Sequence, residues 1–276
     1  MFKEKIKTLA ELPKTKAWLM SDKLEKAYKA LPVNVRRHLS SSAFIATRMY
    51  GIKAENKWSN LMTQDVKAYE KNRNKNKLSD YEHANIPKGG LKDVKKALKV
   101  YKTQISTVFT KKPTLAGLYK YQLFLALKLM STAVPVRNDL PTINIEHEKG
   151  NYLVKKKSSY TIVFTKFKNS DKLGPREIKL DRASSMEMKK FLKYRIGLVD
   201  HDFLFSLRSG AKMSKGAFSQ ALIKLTSKLI GKKIGSRLLR IMFASDNAEI
   251  LKAADKITSK MLYAPSGKQT RQYVKH

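Results

Sequence analysis

The segment LAGLYKYQLFLALKLM, residues 115–130, constrains the fold more than any other stretch. Its composition favours a helix, and that helix is apolar nearly all round, so it has no face to leave in water. It reads as the central helix of its domain. A membrane span is not the explanation, because no window of the chain approaches the roughly 18 uninterrupted apolar residues needed.

The flanking patterns supply the other elements. Upstream, residues 15–30 and 40–50 carry apolar positions at helical period. KNRNKNK at 71–77 is a cationic loop without an apolar member, and NIPKGG at 85–90 is a strong breaker. A helix is expected over 91–108, with Leu91, Val94, Leu98 and Tyr101 on one stripe and Lys92, Lys95, Lys96, Lys99 and Lys102 over the remainder. That lysine face is either a solvated surface or a helix laid along a phosphate backbone. TKKPT at 110–114 reads as a linker. Downstream, PTINIEHE, NYLVKKK, SYTIVFTKFK and PREIKL are β-rich runs separated by turn signals, and they predict a small antiparallel sheet at about 141–180. Helices resume at 183–195. A further helix runs from a Ser214 cap to a Gly231 stop, with Phe218, Leu222, Leu225 and Leu229 as its buried stripe. The expected fold class is mainly α with one small sheet (α+β). It divides into an all-α domain at 1–110 and a second domain at 111–276.

The charge points to a partner. In 276 residues there are 58 Lys+Arg against 22 Asp+Glu, a net charge of +36 and a pI near 10.2. A compact protein with such a surplus repels itself unless it meets a polyanion, and nucleic acid leads. With 42% hydrophobic residues the chain can build a core. The absence of cysteine excludes disulfides, Cys-ligated zinc and a thiol nucleophile. The N-terminus has no continuous apolar core and so does not read as a signal peptide. A soluble, intracellular protein with a nucleic-acid partner is expected.

One stretch carries an electrostatic puzzle. In GSRLLRIMFAS, residues 235–245, Arg237 and Arg240 stand three apart where a helix begins, with Ser236 as the expected N-cap. Cations at a helix N-terminus oppose its dipole at a cost of a few tenths to about 1 kcal/mol each. An anion held by the free amides and the guanidinium groups together would explain them.

Four features follow in chain order: Arg137 in TAVPVRNDL, Lys168 in FTKFKNSDKLG, Arg237 with Arg240, and Tyr273 in KQTRQYVKH. Singly they read as a surface charge, a turn lysine, a helix start and a frayed tail. In this order, from about residue 113 to the C-terminus, the chain resembles the tyrosine recombinases, the family of phage-type integrases. Arg137 matches the family's first arginine. Lys168 matches its sheet lysine, with Lys166 and Lys172 as nearby competitors. LLRIMFAS resembles the family's Leu-Arg-His-x-Phe-Ala-Ser, which makes Arg240 the second arginine, and Tyr273 matches the nucleophile. The sequence departs from the family twice. Arg237 stands where the family has the His of His-x-x-Arg, and arginine is no general base near neutral pH. Ala264 falls where a His or Trp is usual, with Tyr263 beside it as a substitute phosphate contact.

The resemblance implies a site-specific recombinase or integrase with a DNA-binding N-terminal domain. Its substrate is double-stranded DNA clamped between the two domains, and it works as a homo-oligomer, a tetramer on DNA. The implied chemistry is attack by the Tyr273 phenol on a DNA phosphorus to give a 3′-phosphotyrosyl link, with guanidinium groups stabilising the phosphorane charge and Lys168 protonating the leaving 5′ oxygen. No cofactor, small-molecule substrate or membrane is implied. The residues agree, showing no Walker loop, no dinucleotide-binding glycine pattern and no acidic cluster for two metals. His38, His83, His147, His201 and His276 show no metal-ligand spacing. His147 is expected on a strand between Glu146 and Glu148, and His201 in a loop before a short strand. KNRNKNK, the 91–108 helix and the lysines at 155–157 are candidate backbone contacts. Neutralising six to ten phosphates would lower affinity about 10³- to 10⁵-fold between 50 and 200 mM salt. Two other readings stay open: a recombinase fold with a decayed site serving as a DNA-architectural factor, and a basic protein coating RNA or a viral genome.

Overall fold

The structure, a computed structural model, describes residues 22–53, 55–74, 78–133, 135–250 and 253. It divides between Leu78 and Ser79 into two compact units. The first contains α1 (Asp22–Lys29), α2 (Val33–Met49) and α3 (Glu55–Asn74). Leu24, Tyr28, Ala43 and Trp58 form its core, with the Tyr28 and Trp58 rings edge to face at 5.6 Å. Its buried Asp65 is bonded by Tyr28 Oη and Ser40 Oγ, with Arg36 Nε at 3.2 Å, so the carboxylate is compensated.

The second unit begins with α4 (Asp80–Asn85), α5 (Leu91–Gln104), α6 (Ser106–Thr110) and α7 (Leu115–Thr132). The boundary expected at 110 moves to 78, because the Leu91, Val94, Leu98 and Tyr101 stripe of α5 packs into the same core as α7. TKKPT is therefore a connection inside a unit. The helix expected over 91–108 breaks at Ile105, which is 4% exposed. The α7 helix is central as its pattern requires: Leu125, Ala126, Leu127, Leu129 and Met130 are fully buried. Its buried Gln122 is bonded like a strand residue, donating to the Ser206 carbonyl at 2.5 Å and accepting from the Ser206 N–H at 3.0 Å. This fixes α7 to the 203–213 segment.

The sheet has the order β1 (Ile143–Asn144), β2 (Asn151–Lys156), β3 (Ser159–Phe164), β4 (Arg176–Lys179). Strands β2, β3 and β4 are antiparallel as the alternation predicts, with Leu153, Ile162 and Ile178 in register as one apolar row. The two-residue β1 pairs parallel with β2, so the sheet is mixed rather than purely antiparallel. Glu146, His147 and Glu148 are not on a strand. Asn144 Oδ1 accepts the N–H groups of Glu146 and His147 at 2.9 Å each and turns the chain out of β1. Before β4 comes the short α8 (Ser170–Leu173). After it come α9 (Arg182–Arg195), α10 (Lys215–Ile230) and α11 (Ser236–Asp246). Ser214 caps α10 through the Ala217 N–H, and Gly231 ends it at φ 72°. The N-cap of α11 is Gly235, which has no side chain to cap with, and Ser236 is the first helical residue. Among the described residues no helix is long and apolar enough to cross a membrane.

Candidate functional site

Arg137 lies in the turn between α7 and the 3-10 helix at Leu140–Thr142. The turn is braced from below. The Asp139 carbonyl accepts both the Thr142 N–H at 2.9 Å and its hydroxyl at 2.6 Å. The Asp139 carboxylate, 6% exposed, takes Lys215 Nζ at 2.5 Å. Lys215 is the first residue of α10, so this ion pair ties the arginine turn to a second helix.

Lys168 lies in the β3–β4 connection. Buried Asn151 pins the base of that connection, with Oδ1 accepting the Thr165 and Lys166 N–H groups at 3.0 and 2.8 Å and Nδ2 donating to the Lys166 carbonyl at 2.9 Å. Asn169, at φ 74°, then takes the left-handed turn that asparagine tolerates. Of the three candidate lysines, Lys168 lines the recess described next. The Lys166 stem runs beside Gly150, and Lys172 lies in α8.

Arg137, Lys168 and Arg240, widely separated in sequence, line one open recess of about 270 Å³. Arg176, the first residue of β4 and the register partner of Phe164, lines it too. The floor is apolar, from Pro135, Val136, Phe164, Phe167 and Ile178. Asp139 is the acid on the wall, and Lys215 already holds it. Four cations over a low-dielectric floor with one compensated carboxylate make a site for an anion.

Arg240 shows the strain of that arrangement. Burial, and after it the charges of Arg137 and Arg237, push its guanidinium below the usual arginine range, with Asp139 opposing. Its bond to the protein is Nε to the Ser236 carbonyl at 3.4 Å, one turn back on α11. The terminal nitrogens of its fork have no acceptor among the described residues, which suits bidentate binding of a phosphate.

Arg237 does not line the recess. Its side chain is 72% exposed and its Nη2 lies 2.6 Å from Oε1 of Glu82. Glu82 is a buried residue of α4 in a capping box with Ser79. Burial pushes its carboxyl up, but the Ser79 N–H and hydroxyl and the Arg237 charge outweigh that and hold it below the usual range. Thus α4 is fastened to α11, joined by Lys232 Nζ to the Ala84 carbonyl at 2.7 Å and the Lys233 N–H to Asn85 Oδ1 at 2.9 Å. Tyr263 and Tyr273 lie outside the described residues, as do Ala264 and His276.

The sequence reading missed Arg176, Asp139 with Lys215, and Glu82. Arg176 was detectable as the far side of the hairpin that begins at Phe164. Glu82 carried a helix-start signal, Ser-x-x-Glu, but no hint of a partner in α11. Among the described residues no three His, Asp or Glu side chains cluster as metal ligands. His201 is half-buried, its Nδ1 3.1 Å from Arg195 Nη2, and it precedes an isolated bridge at Phe203 rather than a full strand.

No family model matches the chain, and no curated protein matches it. Among solved structures it is similar to XerA recombinase, at 13% identity and a TM-score of 0.41, with 98% of this chain and 88% of that one covered.

Proposed function

We propose that this protein cuts and rejoins duplex DNA by phosphoryl transfer to a tyrosine, acting as a site-specific recombinase or integrase of the tyrosine recombinase type. The observation that carries the reading is the convergence of Arg137, Lys168 and Arg240 on one recess, since the resemblance singled out four of the 58 basic residues and three of those four line it. In the reaction the Tyr273 phenol attacks a backbone phosphorus and loses its proton to solvent. The bond from phosphorus to the 5′ oxygen breaks, and Lys168 supplies the proton that the leaving oxygen needs. Arg137 and Arg240 bind the non-bridging oxygens, whose charge grows in the transition state. Arg176 adds the contact that the family's His or Trp makes and that Ala264 does not provide. The phosphotyrosyl ester conserves the bond energy, so a 5′ hydroxyl of another strand can reseal it. Family members work as tetramers on two duplexes, and we extend that assembly to this chain.

Arg237 is read as a positioning residue: with Glu82 it holds α11 in place and adds positive charge beside Arg240. The same pairing supports a second reading, a recombinase fold that binds DNA without cutting it, because among the described residues no histidine lines the recess. Trapping on a nicked suicide duplex separates the two. The first reading expects a covalent adduct, lost in Tyr273→Phe with affinity kept within about twofold, as removing a single hydroxyl takes away little binding energy. Tight binding with no adduct from the unaltered protein overturns it and leaves the architectural reading.

A further inference from the structure

The end of the sheet opposite the arginine recess carries a second concentration of positive charge. Strand β3 runs from Ser159 at this end to Phe164 in the recess floor, about 17 Å away at roughly 3.4 Å per residue. Around Ser159, the side chains of Lys155, Lys157, Lys179, Arg182 and Lys189 enclose a broad open hollow of about 1120 Å³. Its one carboxylate, Asp181, is engaged as the cap of α9, accepting the Ser184 N–H at 2.6 Å. Among the described residues none of the five cations has a carboxylate within ion-pair distance. Lys102, Lys156, Lys215 and Arg237 in the same unit each have one. On the outer face of the hairpin a second hollow of about 580 Å³ shares Lys157 and Lys179.

The backbone adds an independent observation. Lys157 turns the β2–β3 hairpin at φ 51°, a region that hairpin turns ordinarily fill with glycine or asparagine. A lysine there keeps a charge at the tip in a conformation that costs backbone strain.

We propose that this end of the sheet is a second docking surface, which takes the phosphate backbone of duplex DNA without reading its bases. At about 1120 Å³, against about 270 Å³ for the arginine recess, the hollow is too wide to cage a small anion. Four of its five cations are lysines, point charges on flexible stems that suit a backbone better than a fixed bidentate site. Met186 is the one large apolar side chain exposed on its floor, which leaves little to insert into a membrane. The proposal stands without strand transfer: a protein that never cut DNA would still use it.

The test is the salt dependence of binding to a duplex of arbitrary sequence, measured by fluorescence anisotropy between 50 and 200 mM salt. The triple variant Lys157→Gln, Lys179→Gln, Arg182→Gln is compared with a charge-matched variant at the exposed Lys120, Lys224 and Lys228. With three fewer phosphates neutralised, the slope of log K against log salt should fall by about 2.7, at about 0.9 per phosphate. Amine-labelling mass spectrometry should show Lys155 and Lys189 protected by the duplex. Equal slopes for the two variants, with circular dichroism showing both folded, or full labelling of Lys155 and Lys189 in the complex, overturns the proposal. Tyr273→Phe gives the unaltered slope, so a failure here is distinct from a failure of strand transfer.

Discussion

Replacing Arg240 with Met separates a functional arginine from a structural one. In the free protein Arg240 is half-buried beside Arg137 and Arg237, and its bond to the Ser236 carbonyl is long at 3.4 Å. Met keeps the apolar stem that packs on α11 and removes the charge that burial and its neighbours disfavour. Stability should therefore fall by less than about 0.5 kcal/mol, or rise. Binding should respond in the opposite way. Hydrogen bonds from a guanidinium to a charged acceptor contribute about 1.5–3 kcal/mol, so duplex affinity should drop roughly 10- to 150-fold. The salt slope should fall by about 0.9, because one phosphate is no longer neutralised. Anisotropy titrations at several salt concentrations give both quantities, and a thermal melt gives the third. A melting temperature lowered by several degrees with affinity unchanged would refute the reasoning, because about 1 kcal/mol moves the melt of a unit this size roughly 2–4 °C. Arg240 would then be a framework residue.

The remaining predictions address the surroundings of the site. Arg176→Ala should slow adduct formation on a suicide duplex about tenfold or more while leaving the melt unchanged, as the side chain is exposed and has no carboxylate partner among the described residues. Glu82→Gln should cost about 1–3 kcal/mol in chemical denaturation, because Arg237 loses its acceptor charge and the capping box is weakened. The folded state holds the Glu82 carboxyl below its ordinary 4.5, so its contribution is present above that pH and fades as pH falls below it; the Gln variant should show a shallower acid loss. Burial, with the Arg195 charge behind it, holds His201 below its ordinary 6.5. The unfolded chain then takes up the proton first, stability falls as pH drops below 6.5, and His201→Gln should flatten that slope in melts from pH 7 to 5.

The parts legible in the sequence are those where the pattern is local. The all-apolar α7, the α5 stripe, the Ser214 cap and the Gly231 stop need only helical period and capping chemistry, and the three antiparallel strands need only alternation and turns. The break at Ile105 escaped because its apolar residue fits the helical stripe on both sides of it. The domain boundary escaped because TKKPT has the composition of a linker, while the lysine-rich α5 hides how deeply Leu91 and Val94 pack. Strand β1 has two residues, too few for any period. Within the site, Arg137, Lys168 and Arg240 were found through the order of motifs, whereas Arg176 depends on strand register. Arg237 shows the reverse case. It was selected by its place in the motif, and its partner Glu82 lies too far away in sequence for any local rule to supply.

The most direct measurement is the structure of the protein on a nicked duplex that traps the reacting strand. The account predicts a phosphorus bonded to the Tyr273 oxygen, seated in the recess with its non-bridging oxygens within hydrogen-bond reach of Arg137 and Arg240 and with Lys168 beside the 5′ oxygen. A backbone that bypasses the recess, or a phosphate joined to any other side chain, would contradict it.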